Sequence, residues 1–593
     1  MTFWQLLLRV LPWAPLRAIE ALWWHATRRR VRALNILCRA AMPLPFAYEY
    51  WQKSVEPHFE PSGVAEPDRW PWRPTFSLIL AAEGGDCEPI RATINSLRRQ
   101  TYPAWTCLVL AAVADEESVP LDSRVQWSPP SSLAPINAEL MSAIQRARGD
   151  AVLVLGKGTE LSPSALLELA HALQANPNAA IVYGDQDTLD AAGRRRNPWF
   201  KGDWNEELFL ALDYLSDAAA MASKSAQAAV AELAPDASLY ELLLRIGGQS
   251  GRTIVHVPRI IAHVRHSAAH ANVVERRKVV HRFVALEGGT AELGPFETVK
   301  AVYPLPSPAP LVSIVIPTKD KLNLLQPCVE SVLAKTRYEP FEILVMDNGS
   351  REDPTLRYLA ELATDPHVRV ISHPHPYNYS AINNHAARQA RGEYLCLLNN
   401  DTEVIGAEWL TELMRYAVRP NVGAVGAKLL YEDRTIQHAG VVVGIGEAAG
   451  HAHRNLPHDH PGYFCSAHVA QFVTAVTGAC LLVSRDKFLD VGGLDEERLA
   501  IAYNDVDLCL KLEQAGWRNV YVPHAVLIHY ESRSRGKDHS PSQIDRYTRE
   551  LRTFQERWGA KAYADPSFNP NLDPNSESFV FRLSKAGTQA RLN

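Results

Sequence analysis

Short apolar runs alternate along this chain with longer amphipathic stretches, and the whole succession occurs twice. The sharper copy opens with LVSIVIP at 311–317, continues through a helical face of Leu322, Leu325, Val329, Val332 and Leu333, and returns to FEILVMD at 341–347. Strands alternating with helical patterns of this length predict βαβ units and a parallel sheet. The earlier copy reads FSLILAA at 76–82, a helical stretch ending INSLRRQTYPAW at 94–105, and CLVLAA at 107–112. Between AIQRARGDAVLVLGKGTEL at 143–161 and AARQARGEYLCLLNNDTEV at 386–404 the copies align without a gap, 243 residues apart. NPNAAIVYG at 176–184 and RPNVGAVGA at 419–427 continue the match at the same offset.

The fold class predicted is α/β, with two tandem Rossmann-like domains at 71–302 and 311–560. A Pro-rich linker at 303–310 joins them, an amphipathic helical segment at 1–70 precedes them, and a tail at 561–593 follows. The alignment sets Asp347 opposite Ala111, Pro317 opposite Ala81 and Asp401 opposite Gly158. The first copy is therefore expected to be degenerate in any chemistry those acids perform.

Composition narrows the function classes. A net charge of −5 argues against a general nucleic-acid binder, which needs a basic surface to neutralise phosphates. The charge is uneven: residues 1–45 hold seven arginines against the single acid Glu20, together with Trp4, Trp13, Trp23 and Trp24. Arginines and prolines interrupt every apolar run there well short of the ~18 residues a membrane span requires. Two readings of this segment stay open, a peripheral anchor on an anionic membrane and a helix packed on the first domain with its arginines solvated. The eight cysteines form no C-x-x-C pair, so buried thiols in a reducing compartment are expected, in the cytoplasm or on the inner face of its membrane.

In open parallel α/β sheets ligands bind beyond the carboxyl ends of the strands. The second copy places PTKD at 317–320, DNGS at 347–350 and NNDT at 399–402 at such ends. Asp347 could accept bonds from a base or ribose, and Asp401 could hold a hard divalent cation. Each alone is a weak signal, since Asp-Asn-Gly after a strand is commonly only a turn. YNDVDLCLKLEQAGW at 503–517 reads as a helix with Asn504 as N-cap and Asp505 in the first turn, where the dipole favours an ionised, proton-accepting carboxylate. Plain capping by the two aspartates is the competing reading. VLIHYESRSRG at 526–536 ends a strand with His529, which could complete a cation site, an ordinary hydrogen-bonded histidine being the competing reading, and continues to Arg533 and Arg535, which could meet phosphate oxygens. The histidines of GHAHRNLPHDHPGYF at 450–464 are expected on a substrate-covering loop rather than a metal site.

Taken in order, the proline-led strand end, DNGS, LNNDT, TGAC at 477–480, GGLDE at 492–496, NDVDLCLK and HxxSxSRG resemble glycosyltransferase family 2, of the GT-A fold. The resemblance covers residues 311–536, and more faintly 74–265. Its nearest likeness is to bacterial enzymes of O-antigen and related cell-surface polysaccharide assembly. It implies an inverting, metal-dependent enzyme that moves a sugar, with rhamnose a candidate, from a UDP or dTDP type nucleotide sugar to a glycan or lipid-linked acceptor. By the same resemblance Pro317, Thr318, Asp320, Asp347, Asn348, Asn384, Asn399, Asn400 and Asp401 would bind the nucleotide sugar. Asp401 and His529 would hold Mg2+ or Mn2+, with asparagine at the first place of the usual Asp-x-Asp. Asp505 would be the catalytic base, although Asn504 replaces the acid that normally precedes it. Thr477, Gly478 and Asn504 would line the wall facing donor sugar and acceptor. The rival class is a non-catalytic carbohydrate-binding or scaffold protein built on two decayed copies.

Overall fold

A computed structural model of the chain describes residues 1–59, 70–82, 87–111, 122–128, 135–249, 251–265, 272–530 and 541–583. Arg533 and Arg535 lie outside the described residues. The chain divides into two compact units. The first comprises Met1–Val279, Phe568–Asp573 and the residues from Val580, and the second Val280–Ser567 with Pro574–Phe579.

Each unit is built on one large twisted sheet flanked by helices, and the two sheets share a strand order. In the first the order is Val125–Ser128, Trp105–Leu110, Phe76–Ala81, Ala151–Gly156, Ala219–Ala222, Ala179–Leu189, Thr253–Val264 and Glu160–Leu161. In the second it is Val368–Ser372, Phe341–Asp347, Val312–Thr318, Tyr394–Leu398, Cys480–Ser484, Val422–Leu430, Arg518–His529 and Thr402–Val404. The expected class, two tandem Rossmann-like α/β domains after a helical segment, is the one found. The sheets are mixed rather than wholly parallel. Cys480–Ser484 and Ala219–Ala222 run antiparallel to both neighbours.

Pairing registers make the comparison of copies exact in space. Phe76 pairs with Trp105 and Ala151, as Val312 pairs with Phe341 and Tyr394. Counting along those registers puts Ala111 where the second copy has Asp347, and Ala81 where it has Pro317. Continuous apolar runs explain the buried strands: Ile314, Val315 and Ile316 are fully buried, as are Ile343, Leu344 and Val345. On one face of the second sheet Val315, Leu344 and Leu397 pack with Ile382 and Ala386 of the helix Tyr379–Gln389 and with Leu508 and Leu512 of the helix Asn504–Gln514.

Two segments pack elsewhere than the sequence pattern suggested. Residues 280–302 and the Pro-rich stretch belong to the second unit, where Arg415 donates to the Tyr303 carbonyl at 2.7 Å and the Arg419 guanidinium covers the Tyr303 ring at 4.0 Å. In the tail, Phe568–Asp573 belongs to the first unit, where Asn569 Nδ2 donates to both carboxylate oxygens of Asp185. Composition marks a linker; it does not say which core captures its ends.

The N-terminal segment forms helices α1 (Phe3–Val10), α2 (Pro15–Ala26), α3 (Arg30–Ala41) and α4 (Pro45–Ser54). Leu6, Leu7 and Val10 of α1 are buried with Ala18 and Ala21 of α2 and Ala33, Leu37 and Ala41 of α3. The Tyr48 hydroxyl donates to buried Asp187 at 2.6 Å, which ties α4 to the first sheet. Among the described residues no helix is long and apolar enough to cross a membrane. All eight cysteines are free thiols.

Candidate functional site

Sheet direction decides which strand ends can share a site. Val312–Thr318, Phe341–Asp347 and Tyr394–Leu398 are parallel; Cys480–Ser484 is antiparallel to Tyr394–Leu398 and to Val422–Leu430, which in turn runs parallel to Arg518–His529. Hence Thr318, Asp347, Asn399 and His529 all emerge at one edge. A cavity of about 450 Å³ opens there, lined by Pro317, Thr318, Asp320, Asn399, Asn400 and Asp401 among others. Large enough for several sugar-sized groups, it is the expected place for a ligand in this layer architecture.

On the Asp401 side, the turn after Leu398 is pinned by the Thr402 hydroxyl donating to the Asn399 carbonyl at 2.7 Å and by Tyr530 N–H donating to the Asp401 carbonyl at 2.9 Å. Asn400 Nδ2 donates to the Thr318 hydroxyl at 3.1 Å, joining two strand ends. Thr402 pairs in register with His529, which brings His529 Nε2 to 3.2 Å from Asp401 Oδ1. Both side chains are buried, at 3% and 7% exposure. His529 Nδ1 lies 2.9 Å from Gln437 Oε1. With that oxygen as acceptor Nδ1 is the ring's donor, and a neutral imidazole turns its Nε2 lone pair toward a carboxylate. Asn399 Nδ2, an amide donor, lies 3.4 Å from that Nε2. Among the described residues no cluster of three or more His, Cys, Asp or Glu forms a metal site. One hard oxygen and one nitrogen nevertheless fit Mg2+ or Mn2+, which complete their shells with phosphate oxygens and water.

At the neighbouring strand end, Asp347 pairs in register with Thr318. Its Oδ1 accepts from Ser350 N–H at 2.9 Å and from the Ser350 hydroxyl at 2.6 Å, so the Asp-Asn-Gly-Ser segment is a turn. Both of these bonds fall on Oδ1, and among the described residues Oδ2 accepts none. Asn348 is nearly wholly buried, and its Nδ2 braces the turn by donating to the His373 and His375 carbonyls. Asp320 accepts from the backbone N–H groups of Arg351 and Glu352 at 2.7 and 2.8 Å, and these bonds, that of Glu352 foremost, hold its carboxyl below the usual range. It fastens the first loop of the cavity to the next one.

Asp505 stands on the third side. Its Oδ2 accepts from Gly478 N–H at 2.8 Å and its Oδ1 from Val506 N–H at 2.9 Å, with the Thr477 side chain alongside. The Gly478 carbonyl in turn accepts from the Tyr379 hydroxyl at 2.8 Å, and Tyr379 lines the cavity. A Cβ at 478 would lie 3.2 Å from that hydroxyl, which would have to give by a few tenths of an ångström, and in ordinary contact with Asp505 Cβ at 3.5 Å. Burial raises the Asp505 pKa against the pull of these hydrogen bonds. The helix dipole is thus outweighed by desolvation.

Several expectations move. Asn504 is not the N-cap: Tyr503, in the left-handed region at φ 60°, precedes the helix without a side-chain cap, and Asn504 Nδ2 instead donates to the Ser380 hydroxyl at 3.0 Å. Packing against the helix Tyr379–Gln389 gives that amide a better partner than its own helix end. Asn384, placed near the donor by resemblance, lines a separate cavity beside Gly493 and donates to the Leu494 carbonyl at 2.8 Å. That cavity also contains Arg557, which reaches Asp507 at 2.7 Å on the helix bearing Asp505. The histidine-rich stretch is knitted into its unit, with His438 and His451 ring nitrogens 2.9 Å apart and His453 buried against Ser466. Tyr379 and Gln437 escaped the sequence reading. Asn378 capping the helix of Tyr379, by accepting from Ala381 N–H at 2.9 Å, was a legible signal; Gln437 left none.

In the first unit the matching edge is bare of this chemistry, with Ala82, Gly158 and Val264 at the register positions of Thr318, Asp401 and His529. Its acids lie one strand over and are saturated: Asp187 accepts from Tyr48, Arg195 and His263, each at 2.6 Å.

Residues 313–445 match the family model Glycosyl transferase family 2. The chain is 38% identical over 535 residues to uncharacterized protein y4gI of Sinorhizobium fredii, covering 86% of this chain and 58% of that one. It is 35% identical over 599 residues to O-antigen biosynthesis protein RfbC of Myxococcus xanthus, covering 95% and 46%. A shorter stretch of 63 residues is 48% identical to N-acetylglucosaminyl-diphospho-decaprenol L-rhamnosyltransferase of Mycobacterium tuberculosis, covering 11% and 20%. The chain spans about half the length of the first two relatives.

Proposed function

We propose, from the premise that residues 313–445 belong to glycosyl transferase family 2, that the second domain transfers a sugar with inversion from a nucleoside-diphosphate sugar to a glycan or lipid-linked acceptor of a cell-surface polysaccharide. The observation that carries this reading is the convergence of Asp347, Asp401, His529 and the Asp505–Gly478–Tyr379 chain on one edge of one sheet.

Asp347 Oδ2 takes a hydroxyl or imide hydrogen of the nucleoside. Asp401 and His529 would hold Mg2+ or Mn2+, which when bound would offset the charge that grows on the departing diphosphate. Asp505 accepts the acceptor's hydroxyl proton as that oxygen attacks the anomeric carbon from the face opposite the diphosphate, which inverts the configuration. Its pKa, raised by burial, makes it a stronger base than an exposed carboxylate. Gly478 N–H and Val506 N–H fix the carboxylate, so little reorganisation accompanies the step. The donor types to test first are UDP and dTDP sugars, and rhamnose leads the sugars because one partial relative is named a rhamnosyltransferase.

The test is a panel of nucleotide sugars, each with and without Mn2+ or Mg2+, read by thermal stabilisation and by release of nucleoside diphosphate. Stabilisation by one donor only with the cation, and its turnover, is expected. Binding without any turnover, on acceptors or water, would favour the carbohydrate-binding scaffold; neither binding nor turnover would overturn both.

A further inference from the structure

Eight of the nineteen large apolar side chains that the described residues leave exposed fall between residues 4 and 23. On α1, Trp4 and Leu8 stand one turn apart and Leu11 follows at the end. On α2, Leu16, Ile19 and Trp23 repeat at the spacing of one helix stripe, with Leu22 beside them and Trp13 on the intervening turn. Trp13 is 70% exposed and Leu16 80%. These are not core faces turned outward by accident. Leu6, Leu7 and Val10 already occupy the inner stripe of α1, and Ala18 and Ala21 that of α2. Each helix is therefore apolar on two sides, and the outer side stays exposed apart from the Trp4 ring meeting His25 of α2 edge-on at 5.5 Å.

Exposed arginines edge the outer stripes: Arg9, Arg17, Arg28, Arg29 and Arg32. Arg29 and Arg32 sit over the Trp24 ring at 5.0 and 3.8 Å, and Arg17 pairs with Glu20, the only acid in the first 45 residues. Such a rim of one sign selects the occupant. A second copy of the same face would bring two arginine rims together and repel. A bilayer with anionic lipids offers apolar depth under the stripes and phosphates at the height of the guanidinium groups, and tryptophan prefers that boundary.

We propose that α1 and α2 form an interfacial docking surface for an anionic lipid bilayer, lying in its plane with the outer stripes among the acyl chains. This contact stands independently of the transfer reaction.

The experiment uses the full chain with vesicles of phosphatidylcholine alone or mixed with phosphatidylglycerol. Binding is read by co-flotation, and depth by quenching of tryptophan with brominated lipids. The chain is expected to float with the mixed vesicles, less so at high salt, and to be quenched. Leu16→Glu/Ile19→Glu/Trp23→Glu together should abolish flotation, and Arg17→Gln, Arg28→Gln or Arg32→Gln should each weaken it roughly fivefold. Because those side chains are exposed the fold should persist, and quenching of the unmodified chain gives the same answer without a variant. Absence of flotation, flotation indifferent to the triple substitution, or a dimer in sedimentation that the triple substitution dissolves while vesicles are ignored, would each overturn the proposal.

Discussion

Replacing Asp505 by asparagine separates the proton-accepting role from every other consequence of that position. The carboxylate accepts two backbone N–H groups, from Gly478 and Val506, at 2.8 and 2.9 Å. An asparagine oxygen satisfies one of them, while its amide sets a donor against the other, a loss of about 1–3 kcal/mol. Against that loss, a carboxylate whose pKa burial has raised is destabilising when charged, so its removal returns part of the cost. The net change in stability should stay within about 2 kcal/mol, a shift of roughly 4–8 °C in the melting temperature of a domain this size. The effect on rate is far larger. Loss of a general base costs about 10²- to 10⁴-fold, or about 2.7–5.4 kcal/mol of barrier. Donor affinity should be unchanged, because Asp505 is not among the residues lining the cavity at the strand ends. Calorimetric titration of the donor and steady-state transfer to acceptor, measured across pH, provide the assay. The unmodified enzyme should lose activity as pH falls through a pKa above the ordinary carboxylate value, and the residual activity of the variant should lose that limb. A variant turning over within threefold of the parent, or one whose rate loss is matched by weaker donor binding, would refute the assignment.

Other expectations follow from the same geometry. Gln437→Leu removes the partner of His529 Nδ1 and should weaken Mn2+-dependent donor binding about 10- to 100-fold with melting temperature nearly unchanged; Gln437→Asn should not restore it, its side chain being one methylene shorter. Gly478→Ala presses a Cβ on the Tyr379 hydroxyl and should lower the transfer rate at least ~10-fold while leaving the donor's affinity within about twofold, as kinetics and titration will show. Glu513 is pushed up to about 7 by burial and by Asp565. The folded state then binds its proton more tightly than the unfolded chain does between about 4.5 and 7, so stability falls as pH rises through that window. Glu513→Gln should stabilise the second unit by about 1–3 kcal/mol at pH 8 and not at pH 4, by denaturant unfolding at each pH.

Much of this molecule is written in local pattern. Apolar runs, the 243-residue offset and the rule that ligands meet the carboxyl ends of parallel strands were enough to locate two tandem α/β domains and the ends at 318, 347 and 399. Those features are legible because each depends on the side chains of one segment and on the period of its own backbone. What each polar side chain does at those ends depends on partners that the chain brings from far away. Asn384 and Leu494 are 110 residues apart, His529 and Gln437 are 92 apart, and Asp505 meets Gly478 across 27. Hydrogen-bond choice among such groups is set by packing within a few tenths of an ångström. The tertiary structure alone therefore made Asn348 and Asp320 braces, drew Asn504 from its helix end to Ser380, and gave His529 its orienting amide. The same division holds at the N-terminus, where the sequence marked α1 and α2 as aromatic and basic, but only folding showed which apolar stripe the core had taken and which it left outside.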